Sequence, residues 1–278
     1  MSRRSFTALL AAALTLALTF LVLPVVAIFV NVSPAELVRS LGNPVARDAL
    51  LLSLRCTLIA LALIVLVGTP AAYLLATRSF RGRAALITAL ELPLVLPPAV
   101  AGIGLLAAFG PRGVLGDTLA GAGITLPLST TAVVLALCFV SSPFYLRQGL
   151  SAFAALDPSL AEASRTLGAS EARTFLRVAL PVAAPALGAG AVVAFGRALG
   201  EFGATLMFAG SLRGVSQTLP LAIYASFGDD FPAALAMSAL LVIVSGALLG
   251  ATKLASLRGG SPSDAPDPRT QAPLPARA

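Results

Sequence analysis

The feature that most constrains this chain is a set of six uncharged apolar stretches: Leu9–Val30, Cys56–Leu75, Leu92–Phe109, Leu126–Leu146, Val178–Phe195 and Ala234–Thr252. Each runs to about 20 residues, the length that crosses about 30 Å of hydrocarbon as a helix. None alternates polar and apolar residues with period two, which excludes a membrane β-barrel. Of the 278 residues 58% are apolar and 11% are charged. A soluble domain carries about 25% charged residues, so this chain lacks the means to solvate a surface. The reading is an all-α integral membrane protein with six transmembrane helices in a lipid bilayer.

The residue inventory removes several chemistries. There is no histidine, so a Ser-His-Asp or Cys-His catalyst lacks its base and a zinc site lacks imidazole. Cys56 and Cys138 both fall inside apolar stretches and read as buried structural thiols, without a disulfide framework. Lys253 is the only lysine and Thr252 precedes it, so no G-x-x-x-x-G-K-[ST] phosphate loop exists. Neither catalytic residues nor a metal site nor a bound cofactor is expected.

The formal charge of +7 belongs to topology rather than to nucleic acid. With the N-terminus in the cytoplasm, the inside segments hold thirteen Lys and Arg residues and the outside loops hold four. That asymmetry, with an even number of spans, puts both termini in the cytoplasm of a multi-pass plasma (inner) membrane protein. Arg3, Arg4 and the first apolar run resemble a secretory signal peptide, but the run exceeds an h-region of about 7–15 residues and lacks a clear cleavage site. A retained helix is the favoured reading. Residues 1–254 form the transmembrane domain, and residues 255–278, rich in Gly, Ser, Pro and Asp, read as a disordered cytoplasmic tail.

The longest inside loop, about 148–180, has a legible local code. Asp157 is a good N-cap with Pro158 at the first helical position, and Ser159 to Leu167 can form a short helix. Gly168 fits the left-handed position that ends it. A second short helix can start near Ser170, with Glu171 in its first turn, and Pro181 follows where the chain turns into span five.

Within that loop, Glu162-Ala163-Ser164, then Gly168, then Val178-Ala179-Leu180-Pro181 is similar to the signature of ABC importer permeases, Glu-Ala-Ala, three residues, Gly, nine residues, Ile-x-Leu-Pro. Ser164 stands for the second Ala and Val178 for Ile. The resemblance implies a type I ABC importer permease fold. It also implies a coupling loop, carried by Asp157, Glu162, Ala163, Ser164, Gly168, Leu180 and Pro181, that docks on a separate ATPase.

More of the chain, from about Cys56 to Thr252, resembles the molybdate branch of this family. The segments that carry it are Leu92–Gly116, Ser141–Ser170, Arg197–Gly210 and Arg213–Tyr224. Sulfate permeases are close relatives, and tungstate is nearly the same dianion. The branch implies an ATP-driven importer in which two copies of this chain form the channel. A cytoplasmic ATPase dimer uses the ATP, and an extracytoplasmic protein captures the oxyanion. A channel or secondary transporter working without an ATPase is the competing class, and only the importer needs a docking loop.

Two further places carry polar groups at membrane depth. Arg197 and Glu201 are one helical turn apart if span five continues past Phe195. Charges at mid-bilayer are expected to face the protein interior and to pair, either as a packing element or as a bias for an oxyanion path. Gly196, Gly200 and Gly203 around them would permit close helix approach. Glu91, Pro93, Pro97 and Pro98 make a second irregular site, read as a path-lining segment or a kink. Outside, Ser33-Pro34-Ala35-Glu36 is a capping box whose helix Gly42 can end. With Asp229-Asp230 it reads either as a contact for a binding protein or as solvated loop.

Overall fold

The computed structural model describes residues 3–258, and every regular element among them is a helix. Residues 259–278, which hold most of the expected tail, lie outside the described residues. The last helix runs on to Arg258, four residues past the expected domain end.

Helix α1 (Arg3–Val30) lies at the periphery and packs against α13 (Phe231–Arg258). Its side chains face outward: Leu16 is 73% and Phe20 75% exposed, which water would oppose and lipid accommodates. Helix α2 (Pro34–Gly42) starts with the expected reciprocal box, in which Glu36 Oε2 accepts from the Ser33 N–H at 2.7 Å. That bond holds the Glu36 carboxyl below the ordinary carboxylate range. The helix ends on Asn43 in extended backbone before Pro44, so Gly42 supplies no left-handed stop.

The centre is a long contact between α3 (Pro44–Thr77) and α7 (Thr130–Ala154). Small residues make it close. Cys56 and Ala60 meet Ala132, Val133 and Ala136 in one cluster, and a Cβ on Gly149 would stand 2.9 Å from that of Ala72. Some polar groups in this interior are paired: Thr69 Oγ1 and the Tyr145 hydroxyl are 2.6 Å apart, and the Leu219 N–H donates to Ser53 Oγ at 2.7 Å. Cys56 is buried, Cys138 partly so, and both are free thiols.

Span three differs from the expected Leu92–Phe109 helix. It consists of α4 (Arg83–Val95) and α5 (Pro98–Phe109), bent by 118° at Leu96–Pro97. Pro97 holds Leu96 in extended backbone, and two successive prolines withdraw two amide donors, so α4 stops and α5 starts afresh. Neither half crosses the hydrocarbon alone, since 13 residues reach about 20 Å. Among the described residues five helices are long and apolar enough to cross a membrane, and the bent pair α4–α5 is either a sixth, broken span or a re-entrant loop.

The rest serves the two sites below. Helix α6 (Gly116–Gly121) is a short turn before α7. Helices α8 (Pro158–Thr166) and α9 (Glu171–Thr174) form the loop between α7 and α10 (Leu180–Leu199). Helix α11 (Gly203–Ala209) follows α10 after a break, and α12 (Leu219–Phe227) packs on α13.

Candidate functional sites at the docking loop and the helix breaks

The loop folds as its residues dictate. The Asp157 carboxylate caps α8 by accepting the Ser159 N–H at 2.9 Å, which lowers its pKa below the ordinary aspartate value. Gly168 ends the helix at φ +79°. The Ala169 N–H reaches Ser164 O at 3.1 Å and the Gly168 N–H reaches Arg165 O at 2.9 Å, the paired bonds of a Schellman stop. Ser170 then caps α9, with Ser170 Oγ accepting from the Arg173 N–H at 3.3 Å. The arms are tied by Ser164 Oγ and Thr174 Oγ1, 2.9 Å apart. Glu162 and Ala163 stay exposed.

Leu180 and Pro181 do not belong to this corner, and Pro181 marks no turn. From Glu171 to Leu199 the helix is continuous, widened at Phe175–Ala179, where the Leu180 N–H bonds to Phe175 O five residues back. Pro181 lacks the N–H that would continue the normal ladder, and a wide turn just before it absorbs that loss. Leu180 packs against the buried cluster that holds Tyr145, Phe153 and Ala183, while Pro181 is exposed.

Sequence reasoning missed Leu167. It is 88% exposed at the corner, beside the left-handed Gly168. The available signal was one large apolar residue inside the polar run Ser164-Arg165-Thr166-Leu167-Gly168-Ala169-Ser170.

The second site is where the two broken helices meet. Helix α10 stops at Leu199, and α11 restarts at Gly203. Despite the break, Arg197 Nη2 lies 2.6 Å from Glu201 Oε2. Glu201 is 1% exposed and Arg197 28%. The other carboxylate oxygen, Oε1, accepts the Ala204 N–H at 2.7 Å and so caps the first turn of α11. One buried carboxylate thus joins the end of α10 to the start of α11.

Helix α5 packs against α11 at this point. A Cβ on Gly203 would stand 2.8 Å from the Pro98 Cβ, and one on Gly102 would stand 2.7 Å from Ala204 O. Pro97, Pro98, Arg197, Glu201 and Gly203 therefore form one locus. Glu91 does not join it: α4, which carries Glu91, packs against α7 on the other arm of the bend. Gly196 and Gly200 are exposed within the single chain, and only Gly203 of the three makes a close approach.

No cluster of metal-ligating side chains occurs among the described residues. The architecture defines a polytopic membrane protein with a rigid two-armed loop at one face and two broken helices crossing inside.

A family model described as binding-protein-dependent transport system inner membrane component matches residues 64–253. The molybdenum transport system permease protein ModB of Mycobacterium tuberculosis is 44% identical over 234 residues, 82% of this chain and 86% of that protein. The sulfate transport system permease protein CysW of Synechocystis is 33% identical over 243 residues, 84% and 88% of the two chains. A bacterial ABC transporter that imports alginate matches in fold, with a TM-score of 0.71 at 18% identity over 92% of this chain and 96% of that one. The chain belongs to the family of binding-protein-dependent transport permeases, the membrane components of ABC importers.

Proposed function

We propose that this chain is the membrane-spanning permease of an ATP-driven molybdate importer. The observation that carries the reading is the rigid docking loop: a capped α8, a left-handed corner at Gly168 and an exposed Leu167 beside it. An isolated solvated loop has no use for an 88% exposed leucine, but a docking lever does, since a large apolar side chain on a fixed corner fits a groove in another protein. That partner is a separate ATPase dimer, which supplies ATP hydrolysis because this chain has no phosphate loop. Asp157, Gly168 and the Ser164–Thr174 bond set the lever's shape, and Glu162 and Ala163 lie on its exposed surface.

Two copies of this chain surround the path in this reading. An extracytoplasmic binding protein delivers the anion to them, in keeping with an alginate importer whose structure includes a substrate-bound periplasmic protein. The assembly sits in the inner membrane with both termini in the cytoplasm, as the arginine distribution favours. Residues 1–254 then form the permease domain. Arg197 attracts the oxyanion at the crossing of α5 and α11. Glu201 partly neutralises Arg197 so that the anion is not trapped. Pro97, Pro98 and Gly203 place the broken helices there, with Gly200 in the break beside them and Glu91 nearer the cytoplasmic rim.

Molybdate rather than sulfate is supported by the higher identity to molybdenum permeases, 44% against 33%. The test is uptake of labelled molybdate in proteoliposomes holding this chain, its ATPase and its binding protein. ATP-dependent uptake blocked by tungstate and unaffected by excess sulfate is expected. Efficient competition by sulfate moves the chain to the sulfate branch, and uptake without ATP overturns the reading.

A further inference from the structure

Helix α8 is poorly seated on the bundle. A cavity of about 310 Å³ separates it from the ends of α3 and α7, with Tyr73, Thr77, Phe153, Leu160 and Val178 in its walls. The packing of α8 is chiefly on α9 and the wide turn after it. A lever beside such a groove passes force through its packing on α9 and the wide turn and through the polar links at its edges.

One such link is a cluster of three charges. Glu171, in the first turn of α9, has Oε1 3.0 Å from Arg165 Nε on α8. Its Oε2 lies 3.3 Å from Arg78 Nη2, at the residue that ends α3. The same end of α3 is tied to the start of α4, because Arg83 Nε donates to Leu75 O at 2.5 Å. Glu171 therefore touches both the docking arm and the corner from which α4 leads to the bend at Pro97. The three side chains are 48–56% exposed, and pairs that exposed contribute little to stability. Their geometry is what is distinctive: one carboxylate with each oxygen committed to a different element.

We propose that Glu171 is a positioning residue that latches the docking loop to the α3–α4 corner through Arg165 and Arg78, so that movement of α8 reaches the broken span. Glu171 itself touches no substrate. This rests on α8 being the ATPase-docking helix.

The test compares Glu171→Gln, Arg78→Gln and the double variant in the reconstituted importer, measuring ATPase co-purification, ATP hydrolysis and labelled molybdate moved per ATP. Each variant is expected to keep its ATPase and to hydrolyse ATP, while the anion moved per ATP falls about five- to tenfold. The double variant is expected to be no worse than either single one, because both break the same link. A wild-type ratio in Arg78→Gln overturns the link to α3, and a wild-type ratio in Glu171→Gln reduces the cluster to a solvated ion pair. Loss of the ATPase from Glu171→Gln makes it a docking contact instead. Failure of the underlying reading is separate: no ATPase would co-purify with the wild-type chain.

Discussion

Replacing Arg197 with alanine strands a carboxylate that is 1% exposed. At 2.6 Å and an effective dielectric of about 20, the attraction lost is roughly 6 kcal/mol. Part of it only offsets the desolvation of Glu201, and removing one partner of a buried pair costs about 3–5 kcal/mol. For a chain of this size, that lowers the melting temperature by roughly 10 °C. Arg197→Ala alone therefore confounds packing with passage. The informative variant is Arg197→Ala with Glu201→Gln. The Gln carbonyl still accepts the Ala204 N–H that Glu201 Oε1 holds at 2.7 Å, and no charge is stranded. The assay pairs heating of detergent-purified permease, followed by size-exclusion of the surviving fraction, with ATP-driven molybdate uptake. The single variant should melt early, and the double variant should regain most of its melting temperature while uptake stays low. A single variant that melts like wild type would refute the energetic argument. A double variant that regains uptake as well would show that Arg197 serves packing alone.

Other substitutions address the remaining parts. Gly168→Val places a β-branched residue at φ +79°, costing about 1–2 kcal/mol of local strain. It should abolish uptake while membrane insertion persists, and Gly168→Asn, which tolerates this region, should retain most uptake. Asp157→Ala should weaken ATPase co-purification, whereas Asp157→Asn, an equally good cap, should not. Because the folded pKa of Asp157 is lowered, its cap contributes fully above the ordinary value of 3.8 and is lost only as the pH falls through the lowered value. ATPase binding should therefore not weaken on account of Asp157 anywhere in the neutral range. Gly102→Val drives a side chain to 2.7 Å from the Ala204 carbonyl oxygen, and should destabilise the α5–α11 crossing by about 1–3 kcal/mol, read as a lower melting temperature.

The loop between α7 and α10 was legible because its code is local. Asp157, Pro158, Gly168 and Ser170 act on their own neighbours within a few residues, and the structure gives each the part its chemistry implies. The breaks were harder to read. Two prolines at 97 and 98 announce an irregularity, but a kink and a 118° bend have the same sequence, and packing against α11 separates them. Likewise the i, i+4 spacing of Arg197 and Glu201 foretold their pairing, yet the helix stops between them. What persists across the break is the ion pair, because a buried carboxylate at the head of α11 needs both the Ala204 N–H and a cation. Leu167 and Arg78 were missed for a related reason. Exposure of a leucine and the reach of an arginine from another span are tertiary facts.

These parts lie on one mechanical element. From Glu171 to Leu199 the chain is a single helical shaft of 29 residues, about 43 Å long at about 1.5 Å per residue. Its lower end is tied to α8 by Ser164–Thr174 and Arg165–Glu171, and its upper end carries Arg197. A tilt applied at the loop is carried toward the Arg197 end by this helix, which packs along α7 and α3. The shaft can bend at the wide turn at Phe175–Ala179, close to the loop, and at Pro185, which withdraws a ladder donor further along. The upper end is linked across the break to Glu201 at the head of α11, and α11 meets α5 at Gly203 and Pro98, where no flexible side chain lies between them. Movement at the shaft's top therefore reaches α5 through the Arg197–Glu201 pair and α11. On the proposed function, this places the loop and the buried ion pair, at opposite ends of one helical element, within a single transport cycle.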